Sequence, residues 1–407
     1  MQITGLHLQN FRNYEDQNIE FCPGTNVFVG DNGQGKTNVL EAIYLTSCAS
    51  SHRTSRDFEL ILHNKDFYRV TLGFIHENKS SESISLLYMD AQDNLSKRER
   101  QIFHNGFKLD KISDLFGIFN AVIFAPEDVL LVKEGPAKRR RYIDLLLSQV
   151  SPLYFRNLQQ LQGILKQRNS LLKDIKQNIS NNHISLKDVE KIITKKIDIY
   201  QFDLSHAAVF SVINLEVWTE RLAKIAAEII YTRRKYIDEI EKIAQKILLE
   251  FTDEKEELLL RYKTISFAKN KESIEDIYLN LLKRYENSTI DDIFRGSTSI
   301  GPHRDDIDIF LNGQNIKNYA SQGQQRSVVL SLKLAELEII KNERKEKPVL
   351  LLDDVMSELD EKRRKKLVEI VKEHQVFITC TEIDQIPFLA PDTKIFQVKE
   401  GNIKVLK

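Results

Sequence analysis

Residues Gly30-Asp31-Asn32-Gly33-Gln34-Gly35-Lys36-Thr37 spell G-x-x-x-x-G-K-[ST], and no other stretch of this chain restricts its fold as tightly. The run stands between an apolar segment, Asn26-Val27-Phe28-Val29, and a helix-like one, Asn38-Val39-Leu40-Glu41-Ala42-Ile43. That order, strand then glycine-rich loop then helix, is the context in which the pattern binds phosphate. Its three glycines permit positive φ and close backbone approach, so successive N–H groups can converge on phosphate oxygens. The helix N-terminus adds partial positive charge. Lys36 is placed to reach the β- and γ-phosphates and the Thr37 hydroxyl to ligate Mg²⁺, which makes this a candidate ATP site.

A partner for this loop lies far downstream, in Pro348-Val349-Leu350-Leu351-Leu352-Asp353-Asp354. An unbroken apolar run reads as a parallel strand buried on both faces. Acidic residues at its carboxyl end lie where α/β sheets put ligand chemistry. Asp353 is the candidate Mg²⁺ ligand, and Asp354 is placed to polarise an attacking water. A third element is Ser321-Gln322-Gly323-Gln324-Gln325-Arg326-Ser327. A serine followed by glycine at a helix start offers a hydroxyl, free N–H groups and a positive dipole end, hence a second anion site. One γ-phosphate does not need two helix N-termini from one chain, so this loop is expected to serve ATP held by another copy.

The remaining chain reads as an α/β core split by helices. Strand candidates are Gln2 to Leu8, Asn26 to Val29, Tyr68 to Phe74, Ile84 to Tyr88, Gln101 to Phe103 and Ala121 to Phe124. A polar stretch from Met89 to Arg100 reads as a hairpin-like connection. From about residue 138 to 290 apolar residues recur at helical spacing. The sets are Leu158, Leu161, Leu165 and Leu172; Ile193, Ile197, Tyr200 and Leu204; and Tyr236, Ile240, Ile243 and Ile247. Breaks fall at Asn178 to Ser185 and near Lys269 to Lys271. Heptads are too short-lived for a rod, so these stripes should pack within one helical lobe. After Gly301 an alternating strand, Ile307 to Leu311, precedes the turn Asn312-Gly313. A helix from about Gly323 to Lys341 and strands beginning at Val349, Val376 and Ile395 follow. The expected division is 1–112 for the first ATPase lobe, 113–300 for a mainly helical insertion, and 301–407 for the segment that completes the core.

Bulk properties narrow the function classes. Of 407 residues 42% are hydrophobic and 29% charged, and no apolar run approaches the roughly 20 residues of a membrane span. The first residues lack a secretory signal. Cys22, Cys48 and Cys380 have no metal-ligand spacing, so they read as buried free thiols of a reducing cytoplasm. Lys plus Arg equals Asp plus Glu at 59 each, so global charge announces no nucleic acid. Any such contact must be local. Lys138, Arg139, Arg140 and Arg141 are candidates for phosphate contact, or for bracing the nucleotide lobe. Arg53 and Arg56 could touch either phosphate or a second protomer. His303-Arg304-Asp305-Asp306 mixes signs and reads as structural bracing, and Trp218 as core. Nothing marks a base-reading helix or a stacking platform, so little sequence preference is expected.

The loop, the S-x-G-Q-x-x-S run, the strand end at Asp353-Asp354 and Ser357-Glu358-Leu359-Asp360 occur in the order of Walker A, signature, Walker B and D-loop in ABC-type ATPase heads. Leu8-Gln9-Asn10-Phe11-Arg12-Asn13-Tyr14, Ser51 to Asp57, Phe124 to Asp128, Gly135 to Asp144 and Ser299 to Asp306 resemble the RecF family, within the branch that also holds SMC proteins. The resemblance implies an ABC-type ATPase head with a mixed, largely parallel sheet and a helical second lobe. It implies ATP-dependent dimerisation, with each ATP between Walker A of one copy and the signature of the other. Arg12, Asn13, Ser321, Gly323, Gln324 and Asp360 join Gly30 to Thr37 as implied nucleotide contacts. Also implied are binding to single-stranded or gapped DNA, work with RecO and RecR in recombinase loading, and a part in DNA repair, replication recovery and the SOS response.

Departures from the wider ABC pattern point to slow turnover. Asp354 stands where many heads have Glu, the usual Q-loop glutamine is replaced by the region Pro126-Glu127-Asp128, and Thr379-Cys380-Thr381 stands where a switch histidine is common. ATP is thus expected to act more as a clamp than as a fuel. The alternative, the ATPase subunit of a membrane transporter, shares these motifs but not the long helical insertion.

Overall fold

The computed structural model describes residues 1–90, 98–181, 187, 190–191, 206–252, 255–264, 272–386 and 392–407. In chain order the first half contains β1 (Gln2–Phe11), β2 (Tyr14–Glu20), β3 (Thr25–Val29), α1 (Lys36–Cys48), β4 (Phe67–Ile75), β5 (Ser81–Met89), β6 (Glu99–His104), β7 (Phe107–Lys108) and β8 (Ala121–Phe124). Counting helices of two turns or more, α2 (Pro136–Val150), α3 (Pro152–Ser180), α4 (His206–Thr252), β9 (Leu258–Lys263) and α5 (Ile274–Arg295) come next. The chain then forms β10 (Asp306–Leu311), β11 (Gln314–Asn315), α6 (Gln322–Arg344), β12 (Val349–Asp353), α7 (Glu361–Val371), β13 (Val376–Cys380), β14 (Lys394–Lys399) and β15 (Asn402–Val405).

Local chemistry sets the boundaries. Asn105-Gly106 and Asn312-Gly313 both take positive φ, as a two-residue hairpin with the twist of its strands requires. Ser151, Ser273 and Ser321 each cap a helix by accepting a backbone N–H, and α5 closes on Gly296 in the left-handed region.

The central sheet runs β15-β14-β3-β13-β12-β8, and every pair except β14–β15 is parallel. Alternate residues of these strands enter two different cores. Phe28, Val349, Leu351, Phe377 and Phe396 join α1 and the antiparallel sheet β2-β1-β4-β5-β6-β7. Val27, Leu350, Leu352, Val376, Ile378 and Ile395 join the cluster that continues through α2, α4 and α6. Burial on both faces explains why β12 and β13 are apolar up to Asp353 and Thr379. The fold is therefore mixed α/β with a parallel core sheet.

Most expected elements form, with differences in strands and in the expected limits. The strand β9 lies inside the stretch read as helical, and it pairs with β10 across the expected limit at 300/301. Likewise β8 pairs with β12, so the range 113–300 contributes a strand to the core sheet. Segment β2 was not foreseen because Tyr14-Glu15-Asp16-Gln17-Asn18-Ile19-Glu20 lacks strand-like alternation. The stripe Leu158 to Leu172 packs within the chain on α4, where Tyr236, Ile240 and Ile247 are buried. Ile193, Ile197, Tyr200 and Leu204 lie outside the described residues, as do most of the connection from Met89 to Arg100 and the break at Lys269 to Lys271.

Candidate nucleotide site

Three loops meet at the carboxyl ends of β3, β12 and β13, which are neighbours in the sheet. The glycine-rich loop follows β3 and turns into α1 through Gly35 at φ 116°. A Cβ at Gly33 would meet nothing within 4 Å, so the loop tip is open to a ligand. Lys36 is 8% exposed, and its Nζ donates to the carbonyls of Gly30 (2.6 Å) and Asp31 (2.9 Å). Burial lowers the ammonium below the ordinary lysine range, while Asp354, Cys380, Asp353 and Asp31 oppose that by favouring its charge. The ammonium is held by carbonyls and, among the described residues, makes no direct carboxylate bond.

The acidic strand end lies beside this loop. Asp353 Oδ1 accepts from the hydroxyls of Thr37 (2.8 Å) and Thr379 (2.7 Å). Burial raises its pKa against those two bonds, and Glu127 adds repulsion from the end of β8. Asp354 is left-handed at φ 50°, a strain that Asp tolerates better than most residues. Its N–H donates to the Thr379 hydroxyl at 2.8 Å. Among the described residues no group of three or more His, Cys, Asp or Glu could hold a metal. The hydroxyl and carboxylate oxygens of Thr37 and Asp353 instead suit Mg²⁺, which usually takes one or two protein oxygens plus phosphate and water.

The signature region sits elsewhere. Among the described residues no hydrogen bond or ion pair joins 321–327 to 30–37. Ser321 and Gln324 form a reciprocal cap, each side chain bonding the other's backbone N–H, and Gln324 Nε2 also donates to Glu256 (3.0 Å). Gly323 leaves its helix start bare of side chain. Arg326 pairs with Glu358 at 3.4 Å, and Asp360 caps α7 by accepting from the Arg363 N–H. Asp360 therefore serves its own helix in this structure.

Arg12 and Asn13 brace the loop from outside. Arg12 is bidentate to the fully buried Glu41 of α1 (2.8 and 2.9 Å), and Asn13 bonds the Gln34 carbonyl and the Asn38 side chain. The basic cluster is also committed to internal contacts. Arg139 is bidentate to Asp306 (2.7 and 2.9 Å) and donates to the Leu131 and Glu134 carbonyls. Arg140 donates to the Asp305 carbonyl, and Arg141 to Ser50 and Ser51. These contacts match the bracing alternative for the three arginines, although Arg141 remains exposed. Lys138 stays half-exposed with a distant Glu134 partner, Arg53 bonds Asn38, and Arg56 is the most exposed of the set. In the run 303–306, His303 bonds the Thr298 carbonyl, Asp305 accepts from Tyr262 and Asp306 pairs with Arg139. Sequence reasoning named Thr379 only as standing where a switch histidine is common and gave Glu41 no role; a Thr near the end of an apolar strand was the available signal for the first.

Architecture and site together define an ABC-type ATPase head. The family model described as "RecF/RecN/SMC N terminal domain" matches residues 2–404. The DNA replication and repair protein RecF of Ruminiclostridium cellulolyticum is 41% identical over 407 residues, covering 99% of both chains. That of Clostridium perfringens strain SM101 is 40% identical, covering 99% of this chain and all of its own. The chain belongs to the RecF family. The solved structure of the recombination mediator protein RecF-ATP in the RecFOR pathway superposes with a TM-score of 0.85 at 34% identity, covering 100% of this chain and 98% of that one. An Smc head from Pyrococcus furiosus, at 17% identity and a TM-score of 0.51, shares the fold alone.

Proposed function

We propose that this protein is an ATP-dependent DNA-binding factor of recombinational repair and replication recovery, and that ATP acts by joining two copies. The observation that carries the reading is the split of the site. The loop 30–37 and Asp353 form one wall, while the Ser321 helix start, with an open Gly323, shares no hydrogen bond or ion pair with it among the described residues. Residues Gly30 to Thr37 cradle the triphosphate, with Lys36 turned from its carbonyls onto the β- and γ-oxygens. Thr37 and Asp353 hold Mg²⁺, which neutralises phosphate charge when bound. Asp354 orients water for a slow hydrolysis that reopens the dimer. Ser321, Gly323 and Gln324 of a second copy supply the opposite wall. The dimer binds single-stranded or gapped DNA, working with RecR and RecO to assist recombinase loading and the SOS response in the cytoplasm. Among the described residues no helix is long and apolar enough to cross a membrane.

Two variants test the sandwich by light scattering with ATP and DNA present. Lys36→Arg should lose dimerisation by failing at its own nucleotide, and Ser321→Arg by blocking the other copy's. Normal ATP-dependent dimerisation of Ser321→Arg would sink the model.

A further inference from the structure

The turn of the hairpin β14–β15 lies 366 residues from Gln34 of the glycine-rich loop, yet it is built into that loop. Gln34 is the junction. Its side chain is engaged by the turn, with Oε1 accepting from the Glu400 N–H at 2.7 Å. Its carbonyl accepts from the Gly401 N–H (3.3 Å) and from Asn13 Nδ2 (2.9 Å). Glu400 and Gly401 take positive φ, 49° and 73°, so both amides project from the tip. The fit leaves no spare room, since a Cβ on Gly401 would collide with the Asn13 carbonyl oxygen. At the other end of the loop, a Cβ on Gly30 would collide with the Val398 carbonyl oxygen. Both ends of the loop are therefore pinned by β14 and its turn, while Gly33 between them stays open.

We infer that Gln34 is a positioning residue, and that the turn Glu400-Gly401 holds the phosphate loop in its binding geometry through it. Gln34 directly precedes Gly35 and Lys36, whose backbone must stay aligned for N–H groups to converge on an anion. With its carbonyl and amide oxygen both bonded by the turn, Gln34 has no freedom to flip its peptide, which would turn a carbonyl toward phosphate. A loop ordered beforehand binds without first having to lose conformational freedom. The inference rests on the reading of residues 30–37 as the nucleotide site.

The test measures affinity for a fluorescent ADP analogue, because ADP binding needs one chain and bypasses dimerisation. Gln34→Met keeps length and removes the acceptor; Gly401→Ala keeps the Gln34 side chain and displaces the turn. Both should weaken ADP binding by about tenfold while thermal unfolding stays within a few degrees of the parent. Lys36→Ala is the reference and should abolish binding. Parent-like ADP affinity in Gln34→Met and Gly401→Ala, with Lys36→Ala inactive, overturns the inference and leaves the nucleotide site standing. Weakened binding that follows a matching loss of thermal stability in both variants also overturns it. Undiminished binding by Lys36→Ala would instead remove the nucleotide reading on which it rests.

Discussion

Thr379 serves two neighbours with one hydroxyl, donating to Asp353 and accepting from the Asp354 N–H. From the neighbouring strand β13 it fixes both acidic residues. Thr379→Val preserves shape and leaves the buried Asp353 carboxylate short of a donor. Stability should fall by about 1–3 kcal/mol in urea unfolding, and ATP binding should demand more Mg²⁺. A second residue-scale expectation concerns pH. Burial raises Asp305 from 3.8 to about 6 and lowers His52 from 6.5 to about 4. Asp305 binds its proton more readily folded than unfolded, so its contribution falls as pH rises from about 4 to 6. His52 behaves oppositely: the unfolded chain takes up its proton first, so its contribution is lost as pH falls from 6.5 to about 4. The two slopes offset one another. Asp305→Asn should therefore expose a stability that climbs by about 3 kcal/mol across that window, seen in denaturant titrations at a series of pH values. His52→Phe should expose a decline with rising pH, and an unchanged profile in both variants would refute the assignment.

At the scale of elements, α2 is locked to β10 by the Arg139–Asp306 pair and to the loop after α1 by Arg141. Arg139→Ala leaves Asp306 largely buried without its partner, which should cost about 3 kcal/mol. The same variant should keep the parent's salt dependence of DNA binding. If Lys138 touches phosphate, Lys138→Ala should lower that slope by about one; a reduced slope in Arg139→Ala would return Arg139 to the DNA surface. This cluster shows where sequence reading stops. Four consecutive basic residues look alike in a string, and only the position of Asp306 on β10 distinguishes a brace from a free charge. The motif elements were legible because each has a local cause: glycines that need positive φ, a serine cap, a doubly buried strand. Strand β9 was not legible, since Leu258-Leu259-Leu260 is apolar without a turn signal and follows a long helical stripe. Its partner lies beyond α5, and no local pattern encodes such a pairing.

For the whole molecule, the order β15-β14-β3-β13-β12-β8 puts the earliest core strand between two of the latest. Backbone amides of β3 are covered by β13 on one side and β14 on the other, and both faces of β3 are packed. In hydrogen exchange, peptides covering 25–29 and 376–380 should be the slowest of the core sheet, opening only with global unfolding. The outer strands β15 and β8 should exchange sooner, and early exchange at 25–29 would contradict this arrangement. The same topology bears on how the protein is made. Synthesis proceeds at about 5–20 residues per second, so β3 and its glycine-rich loop leave the ribosome tens of seconds before β14 exists. Until β13 is made, shortly before β14, the nascent chain carries Val27, Phe28 and Val29 with neither lateral partner. A cell producing this protein must shelter that unpaired segment, and nucleotide can first assist folding only once translation is nearly over.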